Sequence, residues 1–168
     1  MYPVLFEIFG FPISTFGVML AIAFLTGTWL VARRMQELDF DPEAATTVLI
    51  YAMLGGIGGS KLYFAIAVSL PGGFPFTRLL FSRDGNTFYG GLIGTILACL
   101  VAARVHHIPT GMLFNCLALA AAIGQALGRV GCFLVGDDYG RPTDGPFGIA
   151  FPEGAPPTLE RVHPTQLY

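Results

Sequence analysis

Four stretches of this chain are long, apolar and nearly free of charge, at about residues 13–32, 44–69, 88–103 and 111–135. Hydrocarbon about 30 Å thick takes about 20 residues of helix to cross, and inside it the backbone has no water to bind. Each stretch must therefore close its hydrogen bonds within itself, which a helix does and an open strand cannot. The expected fold is all-α, a polytopic membrane helix bundle of four spans. A mean hydropathy of +0.65 and 54% hydrophobic residues agree with that and argue against a soluble domain. The formal net charge of −2 shows no basic excess, so no nucleic-acid partner is expected and any bound anion has to be met by individually placed cations. Cys99, Cys116 and Cys132 all lie in apolar segments without paired spacing, which indicates neither a disulfide framework nor a zinc site.

Residues 1–12 mix aromatics, two prolines and the single acid Glu7, as suits a short segment lying in the membrane interface. They lack the basic start and small-residue cleavage site of a signal peptide, so the first apolar run is expected to stay as a span. It ends at Arg33-Arg34, and a short acidic loop leads to Asp41-Pro42-Glu43, which reads as a helix start. Span two carries Gly55 and Gly59, Gly56 and Ser60, two pairs four apart that leave one face nearly bare for another backbone. Lys61 lies within that span and either snorkels to the interface or faces a polar cavity. Residues 70–87, with Pro71, Gly72, Gly73, Pro75, Arg78, Arg83, Asp84 and Asn86, read as a loop with a short amphipathic piece near 76–81. Span three opens with Phe88-Tyr89-Gly90-Gly91, and His106-His107 after it read as solvated loop histidines. Span four holds a further small pair, Gly124 and Gly128.

The rest divides into an extramembrane lobe, 136–162, rich in proline, glycine and acid, and a last segment, 163–168, expected to open a fifth span. The transmembrane bundle is thus expected over 1–135, with one strand-like stretch in the lobe at 147–151. Charge leaves the orientation undecided: Arg33, Arg34 and Arg104 flank one side, Arg78 and Arg83 the other, and Arg141 and Arg161 lie in the lobe.

The densest chemistry is the run Gly128-Arg129-Val130-Gly131-Cys132-Phe133-Leu134-Val135-Gly136-Asp137-Asp138-Tyr139-Gly140-Arg141. It sets two arginines and two aspartates at the end of a span, in a chain where 12% of residues are charged. The planar fork of Arg129 suits a phosphodiester, and a phospholipid headgroup is the anion at that depth. The other reading pairs Arg129 with Asp137 or Asp138 to close a bundle. Chemistry on a phosphate ester would also need a base, for which Asp137, Tyr89 and His163 are candidates. Histidine has the best intrinsic pKa for that work, about 6.5, whereas tyrosine, near 10, better suits donating a hydrogen bond. Cys132 reads first as a packing residue.

Gly59-Ser60-Lys61-Leu62-Tyr63, Tyr89-Gly90-Gly91-Leu92-Ile93-Gly94, the run 128–141 and His163-Pro164-Thr165-Gln166-Leu167-Tyr168 occur in an order that resembles the prolipoprotein diacylglyceryl transferase family, bacterial inner-membrane enzymes that lipidate lipoprotein precursors. The resemblance implies transfer of a diacylglyceryl group from phosphatidylglycerol to the thiol of a lipobox cysteine, with release of glycerol phosphate and no cofactor or metal. It implies an active site facing the periplasmic side, with the N-terminus and lobe outside. Carried over residue by residue, it gives Arg129, Tyr89, Asp137 and His163 as catalytic candidates, and Arg141, Lys61, Gly90, Gly91 and Gln166 as substrate-binding ones. The chain also departs from the family's pattern: Tyr89 stands for a histidine, Cys132 for an asparagine, Asp137 for a glutamate, Lys61 for an arginine and Phe16 for a tyrosine. The family continues through further spans beyond the His-Pro segment, so a diverged and C-terminally truncated member is expected. The replaced histidine leaves an alternative, a relative that has lost transfer and binds anionic phospholipid.

Overall fold

A computed structural model describes residues 2–8, 11–72, 75–82, 85 and 87–168. Gly73, Arg83, Asp84 and Asn86, read above as loop, lie outside the described residues. The protein is an all-α polytopic membrane protein. Its long helices are α1 (Thr15–Glu37), α2 (Ala44–Gly72), α4 (Phe88–Val105) and α5 (Thr110–Val135), with the short α3 (Phe76–Leu80) between α2 and α4. Each of the four long helices has the length and composition to cross a bilayer; α4, the shortest at 18 residues, still reaches about 27 Å. Large apolar side chains on them stay exposed, among them Leu25, Leu54, Ile57 and Leu97, as lipid-facing surfaces require.

Three of the helix ends are set by a residue in the left-handed region, which lets the next backbone N–H groups turn back onto orphaned carbonyls. Asp39, at φ 57°, ends α1, and Phe40 N–H donates to the Met35 carbonyl at 3.0 Å. His107, at φ 53°, does the same for α4, with Ile108 N–H on the Ala103 carbonyl at 2.9 Å, so that histidine has a place in helix termination. Gly136, at φ 76°, ends α5. Before α2, the Asp41 carboxylate accepts Glu43 N–H at 2.9 Å, so this predicted start caps a helix beginning at Ala44.

The described chain falls into two compact units, residues 28–117 and residues 1–27 with 118–168. In the first, α2 and α4 pack backbone to backbone through the bare face expected of span two. A Cβ on Gly55 would come 2.5 Å from the Gly94 carbonyl oxygen, and one on Gly94 would come 2.9 Å from Gly59 Cα. The contact is fastened by Ser60 Oγ accepting Thr87 N–H at 2.8 Å and by Thr95 Oγ1 donating to the Ala52 carbonyl at 3.3 Å. The matching pair on α5 behaves differently: a Cβ on Gly124 or Gly128 would meet nothing within 4 Å among the described residues. On that helix it is Gly131 that lies close, a Cβ there falling 3.1 Å from Met19 Cβ.

In the second unit, the residues expected to lie as an interfacial segment form an antiparallel hairpin, β1 (Val4–Ile8) with β2 (Phe11–Ser14). The strands are rich in the β-branched and aromatic residues that favour extended backbone, and Tyr2 N–H joins the hairpin to the Leu134 carbonyl at 3.1 Å. In the lobe, β3 (Ile149–Phe151) pairs antiparallel with β4 (Thr158–Val162), and Thr165–Leu167 make one 3-10 turn. Phe151 is fully buried at the lobe's centre, stacked on Tyr139 at 5.4 Å and edge-on to Phe133 at 6.0 Å. These rings anchor the turn that follows α5.

Candidate functional site

Gly136 ends α5 so tightly that its own N–H and that of Asp137 both donate to the Cys132 carbonyl, at 2.8 and 3.1 Å. The backbone then enters Asp138, again left-handed at φ 52°. Two aspartates consequently follow the helix end immediately, and Arg129, nearly two turns back along α5, reaches the second of them. Its Nη1 lies 3.7 Å from Asp138 Oδ2, and its Nη2 donates to the Thr165 carbonyl at 2.6 Å. Among the described residues Nε has no protein partner. The guanidinium is thus held along one edge and open on another.

The last segment closes the site by backbone pairing. Gly140 N–H donates to the His163 carbonyl at 2.8 Å, and His163 N–H to the Arg141 carbonyl at 3.1 Å. Thr165 Oγ1 donates to the Asp138 carbonyl at 2.6 Å, and Gln166 Nε2 donates to the Asp137 carbonyl. Gln166 is buried, and among the described residues its Oε1 has no partner, as is also true of Asp137 Oδ1. Burial pushes the Asp137 carboxyl above its ordinary value, while the Cys132 thiol donates weakly to Asp138 Oδ2 at 3.9 Å. Cys132 Sγ and a carboxylate oxygen from each of Asp137 and Asp138 lie within 4.8 Å of one another. That set could gather round a small cation, but Arg129 already supplies a positive charge on Asp138.

Arg129, Asp137, His163, Arg141 and Gln166 all belong to the unit of residues 1–27 and 118–168. The His163 ring is exposed, with Nδ1 3.2 Å from the Tyr168 hydroxyl. The Arg141 side chain is exposed, and among the described residues its guanidinium has no partner. Lys61, Tyr89, Gly90 and Gly91 belong to the other unit. Lys61 Nζ donates to the Ser82 carbonyl at 2.7 Å, so its charge is engaged with the loop after α3. Tyr89 is 70% exposed, edge-on to Phe88 at the first turn of α4. Gly90 is buried where a Cβ would come 2.6 Å from the Gly59 carbonyl oxygen, and one on Gly91 would come 3.5 Å from Ser60 Cβ, so both serve the contact with α2. Sequence reasoning offered Asp137 or Asp138 as the partner of Arg129, and the structure selects Asp138; that reasoning missed Thr165. The threonine acts through its main-chain oxygen, which no side-chain pattern signals.

The sequence profile of the family described as prolipoprotein diacylglyceryl transferase matches residues 3–168. The chain belongs to this family. A relative from Clostridium tetani, named phosphatidylglycerol–prolipoprotein diacylglyceryl transferase, is 32% identical over 172 residues, covering 100% of this chain and 68% of its own length. Relatives of the same name from Allorhizobium ampelinum and Geobacter sulfurreducens are 32% and 34% identical over 99% of this chain, which spans 60% and 64% of theirs. The diacylglyceryl transferase match thus runs through both compact units, from the N-terminal hairpin to the residues that hold Arg129.

Proposed function

We propose that this membrane protein transfers a diacylglyceryl group from phosphatidylglycerol to the lipobox cysteine of prolipoproteins. It would work in the inner membrane of a bacterium, with its site facing the periplasmic side. The observation that carries the reading is Arg129, held at the end of α5 by Asp138 and Thr165 with the Nε edge open, in a chain whose relatives bear that activity in their names.

In this reading the sulfur of the acceptor cysteine attacks the glyceryl carbon bonded to the phosphate. A C–S bond forms, the C–O bond breaks, and its electron pair leaves on the phosphate oxygen of glycerol phosphate. Arg129 stabilises that departing charge, which is where a preorganised donor contributes most. Arg141 adds positive charge for the headgroup and Gln166 fixes the Asp137 turn, while Lys61, Gly90 and Gly91 are substrate-binding candidates carried by the other compact unit. The thiol proton passes to Asp137 or His163, which leaves the sulfur free to attack as the thiolate. Protein reconstituted with labelled phosphatidylglycerol and a lipobox peptide should move the label to the peptide thiol. No transfer from a preparation that still binds lipid would overturn the reading.

Tyr89, standing where the resemblance places histidine, favours a second reading, a relative that binds anionic phospholipid without transfer. Lipid binding unchanged by Tyr89→Phe, with no transfer gained by Tyr89→His, would support it; transfer abolished by Tyr89→Phe would refute it.

A further inference from the structure

Thr165 ties together the two groups that meet Arg129. Its carbonyl takes the Nη2 hydrogen bond at 2.6 Å, and its hydroxyl donates to the carbonyl of Asp138 at 2.6 Å. The Asp138 carboxylate in turn lies 3.7 Å from Nη1. Asp138 occupies a left-handed conformation that non-glycine residues hold only when their surroundings over-determine it, and the threonine hydroxyl is one such restraint. The threonine itself has little freedom: a Cβ on Gly140 would come 2.7 Å from Thr165 Cγ2, so the methyl is lodged against that glycine.

An arginine fork binds an anion through paired hydrogen bonds only when its plane is right, and a free side chain loses rotamer freedom on being fixed. We propose that Thr165 is a positioning residue that fixes the plane of the Arg129 guanidinium and so presents its open edge to an anionic headgroup. The headgroup part rests on the reading of Arg129 given above. The positioning part stands on the three hydrogen-bond and ion-pair distances alone.

Thr165→Val removes the hydroxyl at nearly constant volume, and Thr165→Ser keeps the hydroxyl while removing the methyl. In micelles containing phosphatidylglycerol, Thr165→Val should weaken lipid binding about three- to tenfold, the weight of a hydrogen bond, with Thr165→Ser within about twofold of the parent. Binding to phosphatidylcholine should not change. Nitrogen-15 spectra of the arginine side chains provide the readout that general destabilisation does not mimic. The two Arg129 Nη resonances should be distinct in the parent and in Thr165→Ser, and averaged in Thr165→Val. Distinct resonances in Thr165→Val, or equal impairment by serine and valine, overturn the proposal. A parent that binds both lipids equally refutes the headgroup reading, while the resonances still decide the positioning. If Thr165→Val does not fold, Gly140→Ala displaces the same hydroxyl by crowding Thr165 Cγ2 and should average the same resonances.

Discussion

Gly94→Ala tests the packing of α4, the helix that carries Tyr89 and Gly90, against α2. The new methyl would lie 2.9 Å from Gly59 Cα and 3.1 Å from Gly55 C, with the Gly55 oxygen nearer still. Every one of these neighbours is backbone, so no side chain can swing aside. Carbon atoms rest at about 3.5–4.0 Å, so the helices must part by roughly 1 Å. The Thr95 to Ala52 hydrogen bond, at 3.3 Å, then passes out of range, and the Thr87 to Ser60 pair at 2.8 and 3.1 Å is stretched. Overpacking costs about 1–3 kcal/mol, and an interhelical hydrogen bond in a membrane protein averages about 0.6 kcal/mol. The variant should therefore lose about 2–4 kcal/mol. Gly58→Ala, on the exposed side of α2, is the control, because among the described residues a Cβ there meets nothing within 4 Å. It should be neutral or gain up to about 1 kcal/mol from helix propensity. Unfolding by sodium dodecyl sulfate in mixed micelles, followed by circular dichroism, measures both. If Gly94→Ala and Gly58→Ala agree within about 0.5 kcal/mol, the backbone contact between α2 and α4 is wrong.

Arg129→Gln should weaken phosphatidylglycerol binding about tenfold or more in a vesicle assay, since it removes a charge-assisted contact worth about 1.5–3 kcal/mol, while Arg129→Lys, with charge but no fork, should fall between. For Asp137 the sign follows from its raised pKa: folding favours the protonated carboxyl, so that stabilisation is complete below the ordinary value of 3.8 and is lost as pH rises through the higher folded value. Asp137→Asn should then melt above the parent near neutral pH and match it in acid, as thermal denaturation across pH would read; a parent advantage at neutral pH would refute the assignment.

The four helices were legible because lipid leaves a chain few choices: an apolar run of sufficient length either closes its own hydrogen bonds or does not insert. The α2 to α4 contact was legible for a related reason, since Gly55 and Gly59 make a face that only another backbone can fill. The same spacing at Gly124 and Gly128 meets no neighbour within 4 Å of a Cβ among the described residues, since small residues permit close approach but do not compel it. The N-terminal hairpin was missed because aromatics and prolines near a span fit an interfacial coil as well as a strand pair. At the site, the sequence placed Arg129 beside two aspartates but could not rank them. That choice depends on Gly136 ending α5 and on Asp138 taking a left-handed turn, so that the carboxylate of 138 faces back toward the helix.

The same turn separates the roles open to the two acids. Asp138 is the exposed partner, its side chain 68% accessible and its charge spent on Arg129. Asp137 is half-buried beside Cys132 and Gln166, with one oxygen unpartnered among the described residues and its carboxyl pKa raised by burial. A proton acceptor for a thiol, whose ordinary pKa is about 8.5, becomes better matched as its own pKa climbs from the carboxylate range toward neutrality. Raising the first acid while pairing the second is the kind of divergence by which neighbouring carboxyls take different tasks. In the proposed transfer, Asp137 is therefore the acid better suited to take the proton, while Asp138 pairs with Arg129.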